Sequence, residues 1–282
     1  MSSRLDPSRR TLLTMRVGAS TASLTACNSA TAPATGSSTA SGTTAPPSPA
    51  PTSTPTASAS PGSTPPTPRP PGPAPKPTIA GGPGPDLTHG PRERNEVTLT
   101  FHSAGAADIT RGVRGALAAG GVQATFFAVG SWVRQDPSQV RSLHEDGHEI
   151  GNHTFNHLDL LGLGADTVRA EITRGREALA EAIGDPGWWF RPSGTSHSNE
   201  TIRAVAAELG YGPCVGYDVD PEDFRDPGPD LVRSRTAAAV QPGSIVSLHL
   251  GHAGTVTALP GMLEDLTSRG LRAVTLSTLF RD

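Results

Sequence analysis

Cysteine is nearly absent from this chain of 282 residues: there are two, Cys27 near the start and Cys214 far downstream. One cysteine per region gives no disulfide framework. Cys214, in the apolar run Cys214-Val215-Gly216-Tyr217, reads as a small buried hydrophobe. Nothing approaches the ~18–20 consecutive apolar residues of a membrane-spanning helix. Large apolar side chains are almost missing from the first third, which is mostly Ala, Ser, Thr, Pro and Gly. Such a stretch cannot bury enough surface to offset its chain entropy. A basic excess is also lacking where a folded domain would need one. Residues 1–94 carry eight Arg or Lys and three Asp or Glu, which leaves 15 basic and 23 acidic residues in the remainder. An acidic domain lacks the positive face that nucleic acid requires, so no nucleic-acid partner is expected, and the domain is expected to be a monomer.

The beginning has the layout of an export signal. Arg9-Arg10 precede the mildly apolar Thr11-Leu12-Leu13, and paired arginines suggest the twin-arginine route. Leu24-Thr25-Ala26-Cys27 looks like a bacterial lipobox, in which the Cys27 thiol takes a diacylglycerol and becomes the mature N-terminus. Arg16 interrupts the apolar stretch, so the signal is a weak one. Residues 1–27 are thus read as an export signal with lipobox, which places the protein outside the cytoplasm, anchored to the cell membrane by lipid and facing the wall or periplasm. Residues 28–94 read as a disordered Pro/Ser/Thr/Ala-rich linker. At about 3.1 Å per residue in polyproline II, some sixty residues reach on the order of 150 Å.

Residues 95–282 are mixed and periodic, enough for one domain with one core. Val97–Phe101, Ala124–Val129, Glu149–Asn152, Trp188–Phe190, Pro213–Tyr217, Ser244–His249 and Leu271–Val274 read as strands. Helical patterns lie between them. Asp136-Pro137 reads as an N-cap with proline at the first helical position, and Gly147 as that helix's end. Val168, Ile172, Leu179 and Ile183 mark one face of a long helix. Repeated βα units imply a parallel sheet, and seven or so in under 200 residues suggest an α/β barrel, closed or nearly so. Chemistry in such folds gathers at the C-terminal strand ends.

His153-Thr154-Phe155-Asn156-His157 is the strongest local signal, since histidines at i and i+4 on one face of a helical turn can bind one metal ion. His144 and His148 share the spacing, but Gly147 breaks their helix and both read as solvated. The stretch Glu145–His157 resembles the second motif of the polysaccharide deacetylase family (NodB homology, carbohydrate esterase family 4). Phe190-Arg191-Pro192, Asp218–Phe224 and Ile245–His249 resemble the third, fourth and fifth motifs, in the family's order. The resemblance implies a distorted (β/α) barrel and the removal of acetyl groups from chitin, peptidoglycan or related glycans. It also implies His153 and His157 as ligands of a divalent metal, most simply zinc, and His249 as the general acid. Asp220 would orient that histidine, and Arg191 would hold the catalytic base.

The first motif breaks the pattern. The family's Thr-Phe-Asp-Asp-Gly supplies the base and a metal-ligating carboxylate, whereas this chain has Thr100-Phe101-His102-Ser103-Ala104-Gly105. His102 could act as base, its unperturbed pKa near ~6.5 suiting neutral pH, or become a third nitrogen ligand. Asp108 is a candidate carboxylate ligand. Asp223 reads as a turn acid, His197 and His252 as rim residues, and Trp188 and Trp189 as core or a sugar-stacking surface. Two functions remain open: a metal-dependent hydrolase acting on acetylated envelope glycan or peptidoglycan with an atypical base and ligand set, and a non-catalytic glycan-binding or wall-scaffold protein on the same fold.

Overall fold

The computed structural model describes residues 76–77 and 83–282. The export signal, Cys27 and most of the linker lie outside the described residues. Among those described, no helix is long and apolar enough to cross a membrane.

The sheet is built around β1 (Glu96–Ser103). Its alternating pattern sends Val97, Leu99 and Phe101 into the larger core, and places Thr98, Thr100 and His102 on the opposite face. β2 (Thr125–Ala128), β3 (Glu149–Asn152) and β4 (Ile245–His249) complete a parallel sheet of order β3-β2-β1-β4, and the short β5 (Arg272–Ala273) pairs with the start of β1. Parallel neighbours need crossovers, and these are the helices α1 (Ala107–Ala119), α2 (Gly130–Gln135), α3 (Pro137–Glu145), α4 (Ala165–Ile183), α5 (Glu200–Glu208), α6 (Pro229–Ala239) and α7 (Ala253–Ser268), with α8 (Leu276–Leu279) closing the chain. Asp136 caps α3 by accepting from the Ser138 amide at 3.1 Å, and Gly147 follows that helix with φ 83°, both as the sequence predicts. Val168, Ile172 and Leu179 of α4 are buried.

The distorted α/β barrel is present, but two of its expected strands shrink to single bridges. Phe190 bridges Asn152, Val215 bridges Leu87, and the Val215 amide donates to the Phe190 carbonyl at 2.9 Å. Glycines and prolines at 187, 192, 212, 213 and 216 deny those segments a ladder. The buried Arg191 guanidinium also takes the Val215 and Gly216 carbonyls, which a strand would have used. The folded part also begins ahead of residue 95. Asp86 accepts from the Ser198 amide, Leu87 bridges Val215, His89 bridges Ser244, and Arg92 pairs with Asp218 at 2.9 Å.

His148 corrects an expectation. His144 is exposed, but His148 is only 4% exposed, with its ring 5.1 Å from Phe126 and its Nδ1 accepting from the Ala124 amide. Burial pushes its pKa down to about 4, against the opposing pull of Asp146. The folded state therefore prefers neutral His148, and this contribution to stability is present above the unfolded pKa of ~6.5 and lost as pH falls towards 4. We expect urea unfolding of the wild type to lose roughly 2–3 kcal/mol more between pH 7 and pH 4.5 than His148→Gln, which keeps an acceptor but cannot titrate. Equal losses in the two proteins would remove His148 as a source of the pH dependence.

Candidate active site

The parallel register brings the site together. His102 at the end of β1 lies opposite His249 at the end of β4, so their rings stack with centroids 4.5 Å apart and planes 24° apart. His153 and His157 come from the segment after β3. It is not the expected helical turn: Thr154 and His157 have φ of 66° and 59°, and the chain turns through the left-handed region. The rings still meet, centroids 4.9 Å apart. Positive φ is costly for a β-branched residue, and the surroundings hold it in place. Asn152 Oδ1 accepts from the Thr154 amide at 2.9 Å. Thr154 and Phe155 carbonyls accept from Gly130 and Ser131 at 2.8 and 2.9 Å, which satisfies the free amides at the start of α2. Ser193 Oγ lies 2.8 Å from Thr154 Oγ1 and donates to the Leu158 carbonyl at 2.6 Å. Gly130 and Gly175 are pressed together under the turn, where a Cβ on Gly175 would lie 2.9 Å from the Thr154 carbonyl.

Arg191 ties the centre into a ring of hydrogen bonds. Its Nη1 donates to His102 Nε2 at 3.1 Å, His102 Nδ1 lies 2.9 Å from His153 Nε2, and His153 Nδ1 lies 2.9 Å from the Arg191 carbonyl. A guanidinium only donates and a carbonyl only accepts, so the protons are assigned: His102 carries its proton on Nδ1, and His153 does the same. Ser247 Oγ is also 3.1 Å from His102 Nε2. Burial first, then the neighbouring imidazoles and Arg191, holds His102 and His153 well below the usual histidine range. Burial and His249 lower His157 as well. Arg191 is 1% exposed and contacts no carboxylate among the described residues. It donates instead to Thr100 Oγ1 and to the Val215 and Gly216 carbonyls, and burial pushes it down to about 9 while Tyr217 and Asp220 pull upward.

His102, His153 and His157 offer three nitrogens, all within 4.8 Å of one another. This donor set fits a divalent metal. The Arg191 carbonyl fixes His153 Nδ1–H and so frees Nε2 as a ligand, in the manner of outer partners of metal-binding histidines. His102 could ligate through Nδ1 once its proton moves to Nε2, where Ser247 Oγ can accept it. Three neutral imidazoles suit zinc. Asp108 does not join them: it lies exposed in the first turn of α1 and outside the group. Ser103 is fully buried and donates to the Phe101 carbonyl.

His249 is oriented by Asp223, not by Asp220. Asp223 Oδ1 lies 2.7 Å from His249 Nδ1, and its Oδ2 accepts from the His249 amide at 2.8 Å and from Thr255 Oγ1 at 2.6 Å. A short 3-10 turn, Asp223–Arg225, flanked by left-handed Glu222 and Asp226, delivers this carboxylate to a buried position. Asp220 is exposed, and its Oδ1 closes a turn by accepting from the Glu222 amide at 2.8 Å. His252 sits at the rim, with Nδ1 2.8 Å from Asp226. Trp189 is core, and half-buried Trp188 lies under Lys76. Cys214 is buried, its thiol pushed up to about 12 by burial.

Because three donors converge on buried Asp223, Asp223→Ala should lower unfolding free energy by about 2–4 kcal/mol, while Asp220→Ala should stay within about 1 kcal/mol of wild type. Urea titration of both variants checks this, and equal losses would return Asp220 to the orienting role.

Residues 89–214 match the polysaccharide deacetylase family. A peptidoglycan-N-acetylglucosamine deacetylase of Bacillus cereus is 31% identical over 195 residues, covering 68% of this chain and 91% of the relative. A peptidoglycan-N-acetylglucosamine deacetylase of Listeria monocytogenes is 30% identical over 189 residues, covering 67% of this chain but only 40% of that protein. The fold is shared with a CE4 family pseudoenzyme from Bacillus anthracis, with TM-score 0.66 and 24% identity over 68% of each chain. A mutant of that protein, described as having restored enzymatic activity, gives TM-score 0.65 and 26% identity, covering 68% of this chain and 70% of that one. With the barrel, the ordered motifs and nine-tenths of the Bacillus cereus relative all accounted for, the chain belongs to the polysaccharide deacetylase family.

Proposed function

We propose that the domain removes acetyl groups from acetylated cell-envelope glycan in a metal-dependent reaction, with His102, His153 and His157 as the metal's protein ligands. The convergence of three imidazole nitrogens within 4.8 Å, beside a histidine backed by a buried carboxylate, carries this reading. A bound divalent metal, zinc being the natural match for three imidazoles, would polarise the acetyl carbonyl and acidify water towards pKa ~7. His249 would give a proton from Nε2 to the leaving nitrogen, with Asp223 steadying the imidazolium. With His102 ligating through Nδ1, its Nε2–H would turn to Ser247 Oγ in place of the Arg191 bond, and Arg191 would stay fixed by Thr100 Oγ1 and the Val215 and Gly216 carbonyls. A separate base role for His102 is disfavoured, because burial holds it below the usual range and Arg191 occupies its Nε2. We also read the leader as an export signal, Cys27 as the lipidation site and the Pro-rich tract as a spacer that keeps the domain in the wall. Cys27→Ala should then move the protein from the membrane fraction to the soluble fraction.

A second reading, a non-catalytic glycan-binding protein, is favoured by one observation. Both first-motif carboxylates are replaced, and Arg191 faces an imidazole where the family places its base. Elemental analysis and acetate release from acetylated chito-oligosaccharides separate the two. The hydrolase reading expects about one metal per chain and a loss of about 10²–10⁴-fold in release by His249→Ala. Glycan binding without release by wild type, together with release by a variant carrying both His102→Asp and Ser103→Asp, would establish the second reading.

A further inference from the structure

We propose that Glu171, in the middle of α4, is a positioning residue for the candidate metal centre: its carboxylate fixes the left-handed turn that presents His153 and His157. The inference rests on those histidines being metal ligands.

Glu171 occupies an improbable place for an acid. It is 3% exposed and lies on the buried stripe of α4 with Val168, Ile172, Gly175, Ala178 and Leu179. A carboxylate removed from water persists only where donors replace its hydration. Here nearly all the donors come from the segment between the two histidines. Glu171 Oε2 accepts from the Phe155 and Asn156 amides at 3.2 and 2.7 Å, and Oε1 accepts from Asn156 Nδ2 at 2.6 Å. Two successive amides aimed at one anion form a backbone nest. Arg174 stands 3.7 Å from Oε1, and its guanidinium and that of Arg134 lie 3.7 and 5.0 Å from the centre of the Phe155 ring, so both press the same turn from outside. Helix α2 holds the carbonyls of this turn and Glu171 holds its amides. Both histidines are thereby referred to α4. Glutamine cannot substitute fully, because one of its two positions would face donors with an NH2 group.

The test uses the full chain and cobalt(II) as probe. Glu171→Gln should weaken cobalt binding about 10–100-fold, the usual penalty for losing an outer partner of a metal site, and should alter the cobalt d–d spectrum. Hydrogen exchange at the Phe155 and Asn156 amides should speed at least ~10-fold relative to amides of β1 and β2. A merely structural role would lower the urea midpoint and leave cobalt affinity and spectrum of the folded protein unchanged. Affinity within about twofold of wild type overturns the proposal. Should Glu171→Gln not fold, Asn156→Ala removes one donor to the same carboxylate without touching α4, and unchanged cobalt affinity there is equally decisive against it. Wild type that binds no cobalt defeats the metal reading. In that case exchange still decides whether Glu171 sets the turn, and equal rates in wild type and Glu171→Gln would show that it does not.

Discussion

A guanidinium sealed inside a barrel, with no carboxylate among the described residues to meet it, is the constraint that organises this domain. Arg191 is among the largest fully buried side chains, and every hydrogen bond it makes joins one part of the barrel to another. Through Thr100 and His102 it grips β1, through the Val215 and Gly216 carbonyls it grips the segment after α5, and through its own carbonyl it sets the His153 tautomer. An isolated buried cation is expensive, and neutral acceptors recover only part of that expense. In a family whose arginine holds an acidic base, His102 keeps the acceptor and discards the charge. The site is thereby left with imidazoles in front, a cation behind, and its bonded carboxylate, Asp223, on the far side of His249.

That distribution decides what the centre can do. A metal ion held by three neutral imidazoles keeps its full charge, whereas a carboxylate ligand would have offset part of it. Water on such an ion is more acidic, and anions are held more firmly, than at a site with an aspartate ligand. Under the hydrolase reading, losing the carboxylates would shift the burden of proton transfer from a side-chain base to the ion and to His249. The same change explains why hydrolysis and binding are both coherent outcomes on one scaffold.

Local signals in the chain were sufficient wherever a short-range rule was in control. Asp136-Pro137 and Gly147 bound α3 because capping is a matter of a few adjacent residues. The histidines converge because strand ends of a parallel sheet converge. Long-range geometry was less legible. The left-handed turn of Thr154 and His157 is bonded by Asn152, α2, Ser193 and Glu171, all distant in sequence or outside the motif's spacing, so that spacing suggested a helix that is not there. Asp223 outranks Asp220 because a 3-10 turn lifts it into reach of His249, a choice that two acids three residues apart do not reveal. The strand expected around residues 213–217 yielded its Val215 and Gly216 carbonyls to Arg191. Glu171 did leave a trace, an acid on the apolar stripe of α4, which becomes meaningful only when its donors are known.

Gly175 carries a consequence for the way this domain tolerates sequence drift. It has no side chain to bond with, yet its missing methyl is what lets α4 lie against the Thr154 carbonyl and against Gly130. Any larger residue would wedge the helix away from the turn and spread the two histidines, leaving a folded protein with a blunted centre. The positions least forgiving of mutation therefore extend through a pair of glycines into the helical layer, where an inspection confined to polar groups would not look for them.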